Sequence, residues 1–166
     1  GQALVTPAWL EPHRGLPEKG VAMRATRDRD GWPLRGRKRH VPFTTAAEAL
    51  LTLARTDEGV ALFLVPTSAS GVSMAQAFTI ASDTQYDVTF DGAAGELVGS
   101  AGGGWDTWAE VMYDGIILLG AYAAGGARYA HEITTQYAKD RKQFDKPLGA
   151  FQAIAHYLAD GISAVD

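Results

Sequence analysis

The hydrophobic period changes once along this sequence, at the segment Gly99-Ser100-Ala101-Gly102-Gly103-Gly104. Before it, apolar residues recur at every second position. After it, they recur at steps of three and four. The first spacing lines one face of a strand and the second one face of a helix. The chain is therefore expected to be α+β, with a β domain over residues 1–98 and a helical domain from 105 to 166.

In the β half, Val21, Met23 and Ala25 alternate with Ala22, Arg24 and Thr26, and Tyr86, Val88 and Phe90 alternate with Asp87, Thr89 and Asp91. Leu50 to Ala54 and Val60 to Val65 are apolar enough to be buried on both faces. Asp30-Gly31 and Asp57-Glu58-Gly59 supply turns between these runs. Short, evenly spaced strands favour antiparallel meanders closed into a small barrel or sandwich. Arg27-Asp28-Arg29-Asp30 reads as a solvated hairpin tip. The glycine-rich segment has neither the lysine of a Walker motif nor a GxGxxG pattern, and reads as a flexible connector into a helix.

The first helix is predicted from Asp106 to about Lys139. Its middle, Ile116 to Ala124, is apolar all round, which implies burial on every side. Gly115, Gly120, Gly125 and Gly126 each cost this helix about 1 kcal/mol relative to alanine, an expense that close helix–helix approach would offset. The second helix carries the stripe Leu148, Phe151, Ala155, Leu158, Ile162 and Val165, with Pro147 in its first turn. Two long antiparallel helices cannot close a bundle, and the stripe runs to the end. An incomplete four-helix bundle that continues beyond the sequence, or is completed by another chain, is the expectation.

Composition excludes several function classes. The 166 residues contain no cysteine, which removes disulfides, thiolate metal sites and a cysteine nucleophile. The net charge of −4, with no basic stripe, gives no reason to expect nucleic acid or a membrane surface as partner. Ile116 to Ala127 is too short an apolar run to span a bilayer, and no signal-peptide pattern opens the chain, so a cytoplasmic protein is the expectation. His13, His40, His131 and His156 show no metal-ligand spacing, and no metal site is expected.

The turn between the helices carries the most chemistry. Arg141 offers a planar fork of donors suited to a phosphate, Gln143 can donate to and accept from a ribose or base edge, and Phe144 gives a flat face for stacking. On these residue types alone, an ordinary helical hairpin with surface charges is a better reading than a nucleotide site.

Tyr137-Ala138-Lys139-Asp140-Arg141-Lys142-Gln143-Phe144-Asp145-Lys146-Pro147-Leu148-Gly149-Ala150-Phe151-Gln152 resembles the acyl-CoA dehydrogenase signature Tyr-(Ala)-x-x-Arg-x-x-Phe-Gly-x-x-(Leu/Ile)-x-x-x-Gln, with Asp145 where the family usually has glycine. Lys19 to Gly36, Leu53 to Thr56, Leu62 to Pro66 and Thr84 to Asp91 resemble strands of that family's middle domain. The resemblance implies a middle β domain followed by the first two helices of the C-terminal bundle. It implies a homo- or hetero-oligomer assembled through that bundle, with FAD at a subunit interface and Arg141, Gln143 and Phe144 serving a neighbour's flavin. The reaction it implies is α,β-dehydrogenation of an acyl-CoA.

Against the family pattern, Thr-Glu-Pro aligns with Leu10-Glu11-Pro12, and Trp-Ile-(Thr/Ser) with His40-Val41-Pro42. The hydroxyls that usually bond the isoalloxazine are thus absent at Leu10 and Pro42, which leaves backbone contacts from Trp9 and Val41. Some members place the glutamate base on the first bundle helix, where Asp114 aligns here. Asp114 is one methylene shorter and is followed by Gly115 rather than arginine, so it reads as a polar residue near the helix start. No catalytic residue is assigned within the chain. Three readings stand: part of a dehydrogenase subunit, inactive as a fragment; a non-catalytic subunit lending FAD contacts to a partner; and a β-domain interaction module.

Overall fold

A computed structural model describes residues 3–80 and 83–165, in two compact units, 1–110 and 111–166. In the first unit the strands are β1 (Val5–Ala8), β2 (Arg24–Ala25), β3 (Trp32–Pro42), β4 (Ala49–Arg55), β5 (Val60–Pro66), β6 (Val72–Ala77) and β7 (Gln85–Val98). β4 pairs β5, β5 pairs β7, β7 pairs β3, β3 pairs β2 and β2 pairs β4, so the sheet closes on itself as a barrel. The edge problem of an open sheet is removed by that closure. The expected meander needs one correction: β1 and β2 both run parallel to β4, on the edge opposite β5.

β4 and β5 are the two apolar runs, joined through Thr56-Asp57-Glu58-Gly59. Their inward side chains, Leu50, Ala54, Ala61, Phe63 and Val65, meet Leu34, Val88 and Phe90 in one core. In this barrel buried threonine hydroxyls bond to backbone, as Thr52 Oγ1 donates to the Ala8 carbonyl at 2.7 Å. The expected strand from Val21 to Thr26 enters the ladder only at Arg24–Ala25. Its earlier N–H groups, those of Ala22 and Met23, donate instead to the Glu11 carboxylate. β3 carries a bulge between Lys38 and Val41, with His40 in the left-handed region at φ 53°.

The glycine-rich segment is packed, not the flexible connector expected. Ala101 is buried and its carbonyl accepts from Thr56 Oγ1, and Gly103 bridges to Val60. A Cβ on Gly104 would lie 2.4–2.5 Å from the backbone of Ala61 and Leu62, so only glycine admits this approach. Helix α1 (Gly104–Asp140) starts there, and Trp108 in its second turn is buried with its ring 5.6 Å from that of Trp9.

In the second unit, α1 continues to Asp140. Strands β8 (Lys142–Gln143) and β9 (Lys146–Pro147) form a minimal hairpin, a 3₁₀ turn covers Leu148–Ala150, and α2 spans Gln152–Val165. Pro147 and Leu148 therefore precede the second helix instead of opening it. Their backbone is committed to the hairpin and the 3₁₀ turn, and Phe151 is extended at ψ 125°. The helices run antiparallel. His131 Nε2 lies 2.7 Å from the Leu158 carbonyl, and Gly149 faces Ala138 further along α1.

The apolar middle of α1 is not buried on every side as expected. Ile117 and Leu118 are each 71% exposed, and none of the described residues lies within 4 Å of a Cβ built on Gly115, Gly120, Gly125 or Gly126. Burial requires a covering element, and none of the described residues forms one over this stretch. Neither helix is long and apolar enough to cross a membrane.

Candidate functional site

In the helical unit the site is the β8–β9 hairpin. Phe144 and Asp145 are its two central residues, at φ 54° and 63°. Two successive left-handed residues define a two-residue turn of type I′, whose twist suits a hairpin. The second of these positions is where the family pattern has glycine, which explains that preference. The turn projects Phe144 into solvent at 86% exposure, with an edge-on contact to Phe151 at 6.2 Å. Lys146 lies over the Phe151 ring at 4.2 Å. The Arg141 backbone is tied at both groups, its N–H to the Tyr137 carbonyl and its carbonyl to the Leu148 N–H. The Arg141 side chain is exposed, and Gln143 Nε2 donates to the Lys142 carbonyl. The hairpin thus offers a cation, an amide and an aromatic face on a fixed backbone. Those groups fit the phosphates and adenosine of a dinucleotide.

In the β unit, Trp9 and Leu10 follow β1, and Val41 and Pro42 end β3. The two segments are joined at the bulge, where the Arg39 N–H donates to the Leu10 carbonyl at 2.8 Å. Lys38 Nζ reaches Glu11 Oε1 at 2.8 Å and the Trp9 carbonyl at 3.4 Å. Val41 is buried and its carbonyl accepts from Thr44 Oγ1, while the Pro42 carbonyl accepts from Thr6 Oγ1 at 2.6 Å. Carbonyls at all four candidate positions are therefore taken internally. Leu10 and Pro42 supply no side-chain donor. This edge keeps an internally bonded backbone and carries no side-chain hydroxyl at Leu10 or Pro42.

Two polar arrangements here were not singled out from the sequence. One is the Glu11–Lys38 pair, with Lys38 fully buried. Burial pushes the Lys38 amine below its ordinary 10.5, against the upward pull of the Glu11 charge and hydrogen bond. The other is a relay at the bulge: His40 Nδ1 to Gln85 Oε1 at 2.9 Å, Gln85 Nε2 to Asp83 Oδ2 at 2.6 Å, and Thr79 Oγ1 to Asp83 Oδ1 at 2.6 Å. The bonds from Thr79 and then Gln85 hold the Asp83 carboxyl below its ordinary 3.8. The family pattern has tryptophan at the His40 position, so the departure was visible. Its partners were not, because only the bulge brings them together.

Asp114 is exposed on α1. No group of three or more carboxylates and histidines able to hold a metal occurs among the described residues.

Comparison with known proteins matches residues 7–93 to the acyl-CoA dehydrogenase middle domain and residues 102–164 to the acyl-CoA dehydrogenase C-terminal domain. Acyl-CoA dehydrogenase FadE27 of Mycobacterium tuberculosis is 32% identical over 79% of this chain and 35% of its own length. Among solved structures, a glutaryl-CoA dehydrogenase from Mycobacterium smegmatis in complex with FADH2 has a TM-score of 0.88 and 25% identity, covering 99% of this chain and 44% of that one. A chain of the ChsE4-ChsE5 complex from Mycobacterium tuberculosis has a TM-score of 0.82 and 29% identity, covering 98% and 43%. The chain thus spans between a third and a half of the length of these relatives. Matched in its β half and in its helical half by models of one family, the chain belongs to the acyl-CoA dehydrogenases.

Proposed function

We propose that this chain is part of an FAD-dependent subunit that removes the Cα and Cβ hydrogens of an acyl-CoA thioester, with domains divided at residues 98 and 105. The observation that carries this reading is the type I′ hairpin. It presents Phe144 to solvent beside Arg141 and Gln143. Arg141 would neutralise a pyrophosphate, and Phe144 and Gln143 would meet the adenosine portion of FAD held mainly by a neighbouring subunit. The flavin supplies the hydride acceptor. Trp9, Leu10, Val41 and Pro42 frame this subunit's own flavin edge through backbone alone. We assign no base within the chain, Asp114 included, and so expect the 166 residues alone to be inactive.

The exposed apolar stretch of α1 and its uncovered glycines support assembly through the helical bundle, in a soluble cytoplasmic oligomer. Loss of hydroxyls at Leu10 and Pro42 favours a second reading, in which the subunit is non-catalytic and lends its hairpin to a partner's FAD in a hetero-oligomer. Anaerobic addition of acyl-CoA to the purified full-length protein separates the two. Bleaching of a flavin band in the homomer supports the first. Flavin that appears and bleaches only on co-expression with a second family member supports the second. A protein colourless in both settings contradicts both.

A further inference from the structure

We propose that Lys38 and Glu11 are positioning residues for the flavin edge, and that their buried pair fixes the Trp9-Leu10 backbone against β3. The inference rests on the reading of this edge given above.

A lysine is seldom fully buried, and then only with a partner. Here the ammonium meets Glu11 at 2.8 Å and the Trp9 carbonyl at 3.4 Å. The same carboxylate accepts the N–H groups of Ala22 and Met23, at 3.0 Å each. Arg39, next to Lys38, donates its N–H to Leu10. Three consecutive residues, Trp9, Leu10 and Glu11, are thus held from β3. The carboxylate also ties them to the segment preceding β2.

Burial pulls the Lys38 amine down against the upward pull of Glu11. Apolar residues of similar volume often serve a fold as well or better. They cannot donate to the Trp9 carbonyl or orient the Glu11 carboxylate. With no hydroxyl at Leu10 or Pro42, backbone spacing is what remains to recognise a ring at this edge, and the pair sets that spacing.

The test uses the full-length protein as wild type, K38M, E11Q and the double variant K38M/E11L. Thermal melting, FAD affinity and hydrogen exchange at the Arg39 amide are measured on each. The double variant leaves the Ala22 and Met23 N–H groups without their acceptor, so it is expected to melt below wild type and to bind FAD about tenfold more weakly, the effect of one misplaced hydrogen bond or two. Its Arg39 amide should lose protection. Wild-type FAD affinity and wild-type Arg39 protection in the double variant would overturn the proposal. If the double variant fails to fold, Arg39 protection in K38M decides: loss supports the clamp and full protection overturns it. If the wild type binds no FAD alone or with a partner, the reading of the edge fails, while Arg39 exchange still decides whether the pair sets its spacing.

Discussion

Phe144 and Asp145 sit side by side in the left-handed region, at φ 54° and 63°, and that pairing makes the interhelical turn a fixed platform. Such a conformation costs a residue with a side chain roughly 1–2 kcal/mol, less for aspartate, whose short polar group suits it. Asp145→Gly is expected to hold or raise stability. Asp145→Val is expected to lower it by about 1–2 kcal/mol, because a β-branched residue tolerates positive φ least. Denaturant unfolding of the two variants measures the difference. Equal stability would mean that the turn is not held in this form.

Lys38 makes stability depend on alkaline pH. Its folded pKa lies below the ordinary 10.5. Below the lowered value both states carry the proton. Between it and 10.5 the unfolded state binds more protons, so stability contributed by this group rises with pH across that window. Lys38→Met should abolish this rise in melts taken at a series of alkaline pH values. An unchanged profile would show that Lys38 is not the group responsible.

The relay at the bulge fixes a tautomer. The ionised Asp83 carboxylate only accepts, so Gln85 turns its N–H to Asp83 and its Oε1 to His40. Neutral His40 must then carry its proton on Nδ1, with Nε2 left as an acceptor. Nitrogen-15 chemical shifts of the ring report this directly, and Asp83→Asn should release the preference. A dominant Nε2–H form in the wild type would contradict the relay.

Two glycines of α1 should respond in opposite ways. A Cβ at Gly104 would press on the backbone of Ala61 and Leu62, and Gly104→Ala should cost about 1–3 kcal/mol. Among the described residues nothing lies within 4 Å of a Cβ built on Gly120, and Gly120→Ala should gain about 1 kcal/mol of helix propensity. Chemical unfolding of this chain gives both values. Sedimentation of the complete protein should then show Gly120→Ala weakening assembly, if bundle partners pack against that position.

The period switch near residue 100 and the paired apolar runs β4 and β5 were legible because local spacing alone dictates them. The helix onset near Gly104 was legible for the same reason. The order of the packed connector was not, since Ala101, Gly103 and Gly104 serve contacts with Thr56, Val60 and Ala61 that lie some forty residues away in the chain. The Glu11–Lys38 pair was hidden likewise, as its partners lie 27 positions apart and Lys38 reads as one charge among the basic residues of β3. An apolar stretch such as Ile116 to Leu119 states that burial is wanted, not which element provides it. The Arg141–Phe144 turn was readable as a motif, while its I′ geometry required the φ values of Phe144 and Asp145.

In the proposed function the hairpin grips FAD across an oligomer. The most direct measurement is the FAD dissociation constant of the complete oligomer, with its natural partner if it has one, before and after Arg141→Ala, with assembly state checked by sedimentation. Loss of a charge-assisted contact to phosphate should weaken FAD by at least about tenfold, with the oligomer intact. An intact oligomer that binds FAD as tightly without the Arg141 guanidinium would show that the hairpin does not hold the cofactor.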